Sequence, residues 1–149
     1  PFLRGYAPTE LAPDGRYDVP CLAADIVSLM NELGWPRAHL VGHDWGAVIA
    51  YALAANHPDR LGQVSALSVP PFAAFRHRLL RSPRQLRQSA YMFWFQFRGW
   101  SDASIRRHDF RAIEELWRKW SPGWIPPPEA LAHAKATLAQ PGVLKAALS

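Results

Sequence analysis

The sequence predicts an α/β chain: a small parallel sheet flanked by helices, followed by an all-helical half. Two observations carry this. Up to residue 69, segments alternate as helix, strand, helix, strand, an order that implies βαβ units and parallel pairing. From Pro70 onward no strand pattern remains, and Trp and Phe recur at helical spacing. With 149 residues, 49% of them hydrophobic and only 19% charged, the chain has the composition of an ordinary globular domain rather than a disordered one.

Residues 1–18 read as a loop, punctuated by Gly5, Pro8, Pro13 and Gly15. Pro20 lies near the first turn of a helix in which Leu22, Ile26, Leu29, Met30 and Leu33 recur, and Gly34 is placed to end it. Residues 38–42 form a short apolar run expected as a buried strand. Residues 45–56 are helical with Pro58 as the stop, and residues 63–69 are expected as a second buried strand. A boundary is expected at Pro70–Pro71, dividing the chain into 1–69 and 70–149. Beyond it, Ser82, Pro83 and Gln85 resemble a capping box opening a helix to about Phe97. Asp109 is a candidate cap for another helix, with Phe110, Ile113, Trp117 and Trp120 on one face. "IPPPEALAHAKATLAQ" supplies a third, broken by Pro141 and Gly142.

The net charge is +5, but the basic residues are spread from Arg4 to Lys145 without a long run. They read as a solvated surface, and no recognition helix or motif points to nucleic acid. No stretch approaches the ~20 apolar residues of a membrane helix. The single cysteine, Cys21, forms no internal disulfide and suggests a reducing, cytoplasmic setting. The opening "PFLRGYAP" has no initiator Met and reads like the middle of a longer chain.

The chemistry concentrates at "LVGHDWGAVIAY", Leu40 to Tyr51. Gly42 and Gly46 flank Asp44 at the spacing of a sharp strand-to-helix turn, which presents its central side chain and aims the next helix's first amides at the same point. Small flanking residues relieve crowding there, and the amide of Trp45 becomes a candidate oxyanion donor. Serine is the usual central residue. An aspartate is already ionised and needs no base to attack. At an ester carbonyl it would give a high-energy anhydride, but at a saturated carbon it gives an alkyl ester that water can later cleave. Asp44 therefore favours substitution at an epoxide or a carbon–halogen bond. On residue types alone, a simple helix N-cap remains open as its role.

"VGHDWGAVIAYALAANHPDRL" resembles the nucleophile elbow of the epoxide hydrolases within the α/β-hydrolase superfamily. "LRGYAPTE" resembles the loop after the fourth strand of that family, although Ala7 stands where glycine is usual. "SAYMFWFQ" resembles the lid helix carrying one of two tyrosines that bind the epoxide oxygen, and "PGVLKAALS" the segment just before the second. The resemblance implies a partial α/β-hydrolase core over 1–69 and a truncated helical cap over 70–149. It implies Asp44 as nucleophile and Tyr91 as lid acid, with Trp45 and Phe95 lining a site for a small hydrophobic epoxide. No cofactor or metal is called for. Similar dehalogenases use a tryptophan at the position of Trp45 to hold halide, so haloalkane chemistry is an alternative; "GHDWG" resembles the epoxide enzymes more. Trp94, Trp100, Trp117 and Trp120 are expected in the core. The family's water-activating histidine, its acid and the second tyrosine lie after the lid, and an oxyanion loop lies before the first residue here. His57, His77, His108 and His133 do not match that histidine. The expectation is an internal piece of such an enzyme, inactive in turnover by itself. A further alternative is a non-catalytic binding remnant.

Overall fold

The structure, a computed structural model, describes residues 1–97 and 99–149. They group into two compact units, one of Tyr17–Ser89 and one of Pro1–Arg16 with Ala90–Ser149.

In the first unit, helix α1 (Val19–Glu32) opens at Asp18, whose carboxylate accepts the Cys21 amide at 3.1 Å, with Pro20 in the first turn. Gly34, at φ +66, closes it. Its amide returns to the Asn31 carbonyl at 3.0 Å and the next, from Trp35, to Met30 at 2.8 Å, the pairing of a Schellman motif. Strand β1 (Ala38–His43), helix α2 (Trp45–Asn56), a 3-10 turn (Pro58–Arg60) and strand β2 (Leu61–Leu67) follow. The strands pair in parallel, with Leu40 opposite Val64 and His43 opposite Leu67. The register slips between Ala38 and Leu40. There the Gln63 amide donates to His39 Nδ1 at 3.0 Å, and a Cβ at Gly62 would lie 2.9 Å from that ring. Helix α2 packs on both strands and against α1. It buries Ala47, Ile49, Ala50 and Leu53, and the alanines let the helix approach the sheet closely.

Neither strand is buried on both faces, contrary to the sequence reading. Ala38, Leu40 and Gly42 turn toward the interior, whereas His39, Val41 and His43 face solvent, Val41 at 73% exposure. In β2 only Leu61 is buried. A parallel sheet reads as a continuous apolar run because it is normally covered on both sides. Here α2 covers one face of a two-stranded ladder, and the alternation of the pleat shows in β1. Helices α3 (Phe72–Arg81) and α4 (Pro83–Gln88) complete the unit. The sequence reading missed α3, although Phe72, Phe75 and Leu79 recur in it at helical spacing; none of its side chains is fully buried. The Ser82 cap holds, its hydroxyl accepting the Gln85 amide at 3.2 Å. The helix stops at Gln88 instead of running to Phe97, with buried Ser89 accepting from the Gln85 side chain at 3.0 Å.

The second unit comprises the 1–16 loop and helices α5 (Ala90–Phe95), α6 (Trp100–Trp120), α7 (Pro128–Ala139) and α8 (Val143–Ala147). Helix α6 is broken at Arg107–Phe110, where His108, Asp109 and Phe110 take φ of 52, 56 and 57. A helix therefore restarts near the expected point, but Asp109 does not cap it by side chain. Its carboxylate binds Lys135 Nζ at 2.8 Å. Ile105, Phe110 and Leu144 form the core, with Trp94, Phe95, Ile113 and Leu138 packed around them. Trp100 and Trp120 depart from their expected core role: Trp100 is 85% exposed and Trp120 about half exposed. Among the described residues no helix is long and apolar enough to cross a membrane.

Candidate active site

Asp44 sits between the last residue of β1 and the first of α2, at φ 54 and ψ −117. A non-glycine residue at such angles is strained and persists only where its surroundings hold it. Three contacts do so. The Asp44 amide donates to the Leu67 carbonyl at 3.3 Å, which ties the turn to the end of β2. The Asp44 carbonyl accepts the amides of Ala47 at 2.9 Å and Val48 at 3.3 Å, which starts the helix. At Gly42, a Cβ would lie 2.5 Å from the Gly46 carbonyl carbon and 2.8 Å from the Ala47 nitrogen, so only glycine lets α2 cross β1 this closely. Gly46 differs from expectation. Nothing lies within 4 Å of a Cβ placed there, so crowding does not demand glycine at that position.

The Asp44 side chain is exposed and makes no capping hydrogen bond with α2. An aspartate serving as a plain N-cap would turn its carboxylate back onto the second or third helical amide. This one projects away from that role, at the positive end of a helix dipole that favours an anion. Trp45 follows it at the tip, half exposed, with an indole surface offered to solvent.

Tyr91 and Phe95 lie one turn apart in α5. Their rings meet edge to face with centroids 5.5 Å apart, and the Tyr91 ring also meets Trp120 edge to face at 5.4 Å. Phe95 in turn packs on the Ile105, Phe110 and Leu144 core. Tyr91 is thus a half-buried member of an aromatic cluster held from behind by apolar packing. Asp44 and Trp45 belong to the first compact unit, Tyr91 and Phe95 to the second, and each pair is built within its own unit. A cavity of about 540 Å³ in the second unit is lined by Phe2, Thr9, Glu10, Leu11, His133 and Thr137, among others; none of the four predicted site residues lines it.

Two features of the elbow were not singled out in the sequence. Ser68, just after β2, takes φ +70, and the Tyr51 hydroxyl donates to the Val69 carbonyl at 3.0 Å. Tyr51 follows Asp44 by seven residues, two helical turns, and that spacing is the signal that places it beneath the elbow.

The family model for the α/β hydrolase fold matches residues 3–124. The chain belongs to the α/β-hydrolase family. Its relatives include epoxide hydrolases. Epoxide hydrolase 4 of Mus musculus is 32% identical over 122 residues, which are 81% of this chain and 34% of that protein. Epoxide hydrolase A of Mycobacterium tuberculosis is 35% identical over 126 residues, 78% of this chain and 37% of that protein. Among solved structures, the Bacillus megaterium epoxide hydrolase in complex with an inhibitor superposes with a TM-score of 0.80 at 27% identity, covering 98% of this chain and 51% of that one. The chain thus spans about a third of the length of those curated relatives and half of that solved α/β hydrolase.

Proposed function

We propose that this chain carries the nucleophile and one oxygen-binding tyrosine of an epoxide-opening hydrolase, with 1–69 as part of the hydrolase core and 70–149 as its helical cap. The observation that carries the reading is the strained, uncapped Asp44 at the strand-to-helix turn. Names of the relatives support an epoxide as the electrophile.

In the first half-reaction an Asp44 carboxylate oxygen forms a bond to one epoxide carbon. The ring C–O bond breaks and its electron pair passes to the epoxide oxygen, which Tyr91 stabilises by donating a hydrogen bond and then its proton. Trp45 and Phe95 are the apolar side chains that the resemblance assigns to a small hydrophobic epoxide. In the second half-reaction water adds to the ester carbonyl, the diol leaves, the carboxylate returns and the proton that water releases restores Tyr91. The Trp45 amide is the donor suited to the oxyanion formed on the way. That step needs a base, and the resemblance assigns it to a histidine and an acid outside these 149 residues. By itself the chain therefore halts at the ester. Neither a cofactor, a nucleic acid nor a membrane enters this scheme, and the cytoplasmic setting rests on the single cysteine.

Incubation of the full chain with styrene oxide, followed by intact-mass measurement, tests the proposal. A one-equivalent adduct is expected in the parent chain, absent in Asp44→Asn and slower to form in Tyr91→Phe. Sustained diol formation abolished by Asp44→Asn would place the base within these residues. A folded chain with no adduct would contradict the nucleophile assignment. Faster alkylation by a haloalkane than by the epoxide would favour halide displacement instead.

A further inference from the structure

The exit of β2 forms a closed circuit with the elbow. The Asp44 amide donates to the Leu67 carbonyl at 3.3 Å. The next residue, Ser68, is held at φ +70. The one after, Val69, offers its carbonyl to the half-buried Tyr51 hydroxyl at 3.0 Å, and Pro70 and Pro71 follow directly. Tyr51 then leads back along two turns of α2 to Asp44. Two hydrogen bonds are the non-covalent links in this ring, and it holds two non-glycine residues at positive φ, Asp44 and Ser68.

We propose that Tyr51 is a positioning residue for Asp44, acting through the pinned Leu67–Ser68–Val69 exit and touching no substrate; this rests on Asp44 being the nucleophile. The physical chain is short. A serine at positive φ is disfavoured by contact between its Cβ and the backbone, so Ser68 returns to negative φ unless something holds it. Tyr51 holds it by fixing the carbonyl of the following residue. If that pin is cut, the Leu67 carbonyl rotates with the relaxing chain and the Asp44 amide loses its acceptor. Asp44 is then free to leave φ 54. Its lower-energy alternative is the ordinary extended N-cap conformation, with the carboxylate turned back onto the α2 amides. In that state the carboxylate is engaged and no longer presented to an electrophile. The competing role of Asp44 as a simple cap is, on this view, the resting state that Tyr51 excludes.

The test uses the full chain and two independent readouts. Tyr51→Phe keeps the ring and removes the hydroxyl. Ser68→Gly makes positive φ free of steric cost, so it removes the need for the pin without restoring it. Hydrogen exchange of the Asp44 amide is followed by NMR, and alkylation of Asp44 by styrene oxide is followed by mass under conditions where circular dichroism shows every variant folded. Tyr51→Phe is expected to speed Asp44 exchange and slow alkylation, each about tenfold, the typical net weight of one hydrogen bond. The loss should fall in the saturating rate and leave the half-saturating epoxide concentration unchanged. Adding Ser68→Gly should bring both readouts back to within about threefold of the parent, in keeping with the small steric term it removes. A purely structural loss would not be rescued in this way. If the parent forms its adduct but neither readout responds to Tyr51→Phe, or if Ser68→Gly fails to restore them, the positioning role is overturned. If exchange responds as stated while the folded parent forms no adduct, it is the nucleophile assignment beneath the proposal that fails.

Discussion

The two compact units hold their candidate residues by different means. In the 17–89 unit, Asp44 is placed by backbone: a glycine crowded by the opposite helix at Gly42, two carbonyl–amide exchanges at the start of α2, and a rung to the end of β2. In the other unit, Tyr91 is placed by side chains: ring contacts to Phe95 and Trp120 over an Ile105–Phe110–Leu144 core. Backbone geometry tolerates little, since no rotamer can yield. Aromatic packing tolerates more, since neighbouring rings can tilt. A nucleophile that must project at one angle, the role proposed for Asp44, suits the first arrangement, and a hydrogen-bond donor that adjusts to its acceptor, the role proposed for Tyr91, suits the second.

Gly42→Ala should break this contrast most strongly. Its Cβ meets backbone atoms of Gly46 and Ala47, and a loss of about 3 kcal/mol or more in urea unfolding is expected. Gly46→Ala, two residues after Asp44 and its amide rung, is expected to stay within about 1 kcal/mol of the parent, on the stabilising side. Equal effects at the two glycines would mean that the elbow is not held by crowding.

In the helical unit, Ile105→Ala empties a fully buried position and should cost roughly 2–3 kcal/mol. Hydrogen exchange should locate the loosened amides in α5, α6, α7 and α8, the helices that share this core. Asp18→Ala removes the α1 cap and should cost about 1 kcal/mol, read from the same unfolding curves.

The smallest effect is expected at Lys135, which bridges Asp109, within the break of α6, at 2.8 Å and Glu114, after the break, at 2.7 Å. The hydrogen bond from Lys135 holds the Glu114 carboxyl below its ordinary value, against the opposing effect of burial. The hydrogen bonds to Asp109 and then Glu114 hold the Lys135 ammonium above its ordinary value. A depressed carboxyl stabilises the fold fully above its unfolded value of 4.5 and loses that contribution as pH falls through its folded value. A raised ammonium stabilises fully below its unfolded value of 10.5 and loses that contribution as pH rises through its folded value. The stability difference between the parent and Lys135→Met should therefore be present around neutrality, shrink at both extremes and shrink again with added salt. A difference that grows on acidification would contradict the assignment.

The backbone-held unit was also the more legible one. Helix α2 was bounded correctly at both ends, because "GHDWG" and Pro58 are strong punctuation. Gly34 and the Ser82 cap were readable for the same reason: they act locally. What stayed hidden depends on partners distant in sequence. The register slip at His39 and the positive φ of Ser68 are set across strands, with no local signal. The break in α6 lies at Arg107–Phe110, a stretch without glycine or proline, and Trp100 before it and Trp120 after it are both exposed. Helix α3 carried a local signal that went unread, Phe72, Phe75 and Leu79 at helical spacing, although it buries nothing. Of the site, Asp44 and its setting followed from the residues, while Tyr91 followed only from resemblance.

The selectivity of alkylation among carboxylates tests the central claim most directly. The chain is treated with styrene oxide once in native buffer and once in denaturing urea, then digested and mapped. If the elbow makes Asp44 reactive, the native chain carries its ester at Asp44 well ahead of Asp25, Asp59 and the other carboxylates, and urea erases that preference. An equal distribution in both conditions, or a native adduct confined to Cys21 or a histidine, would contradict it.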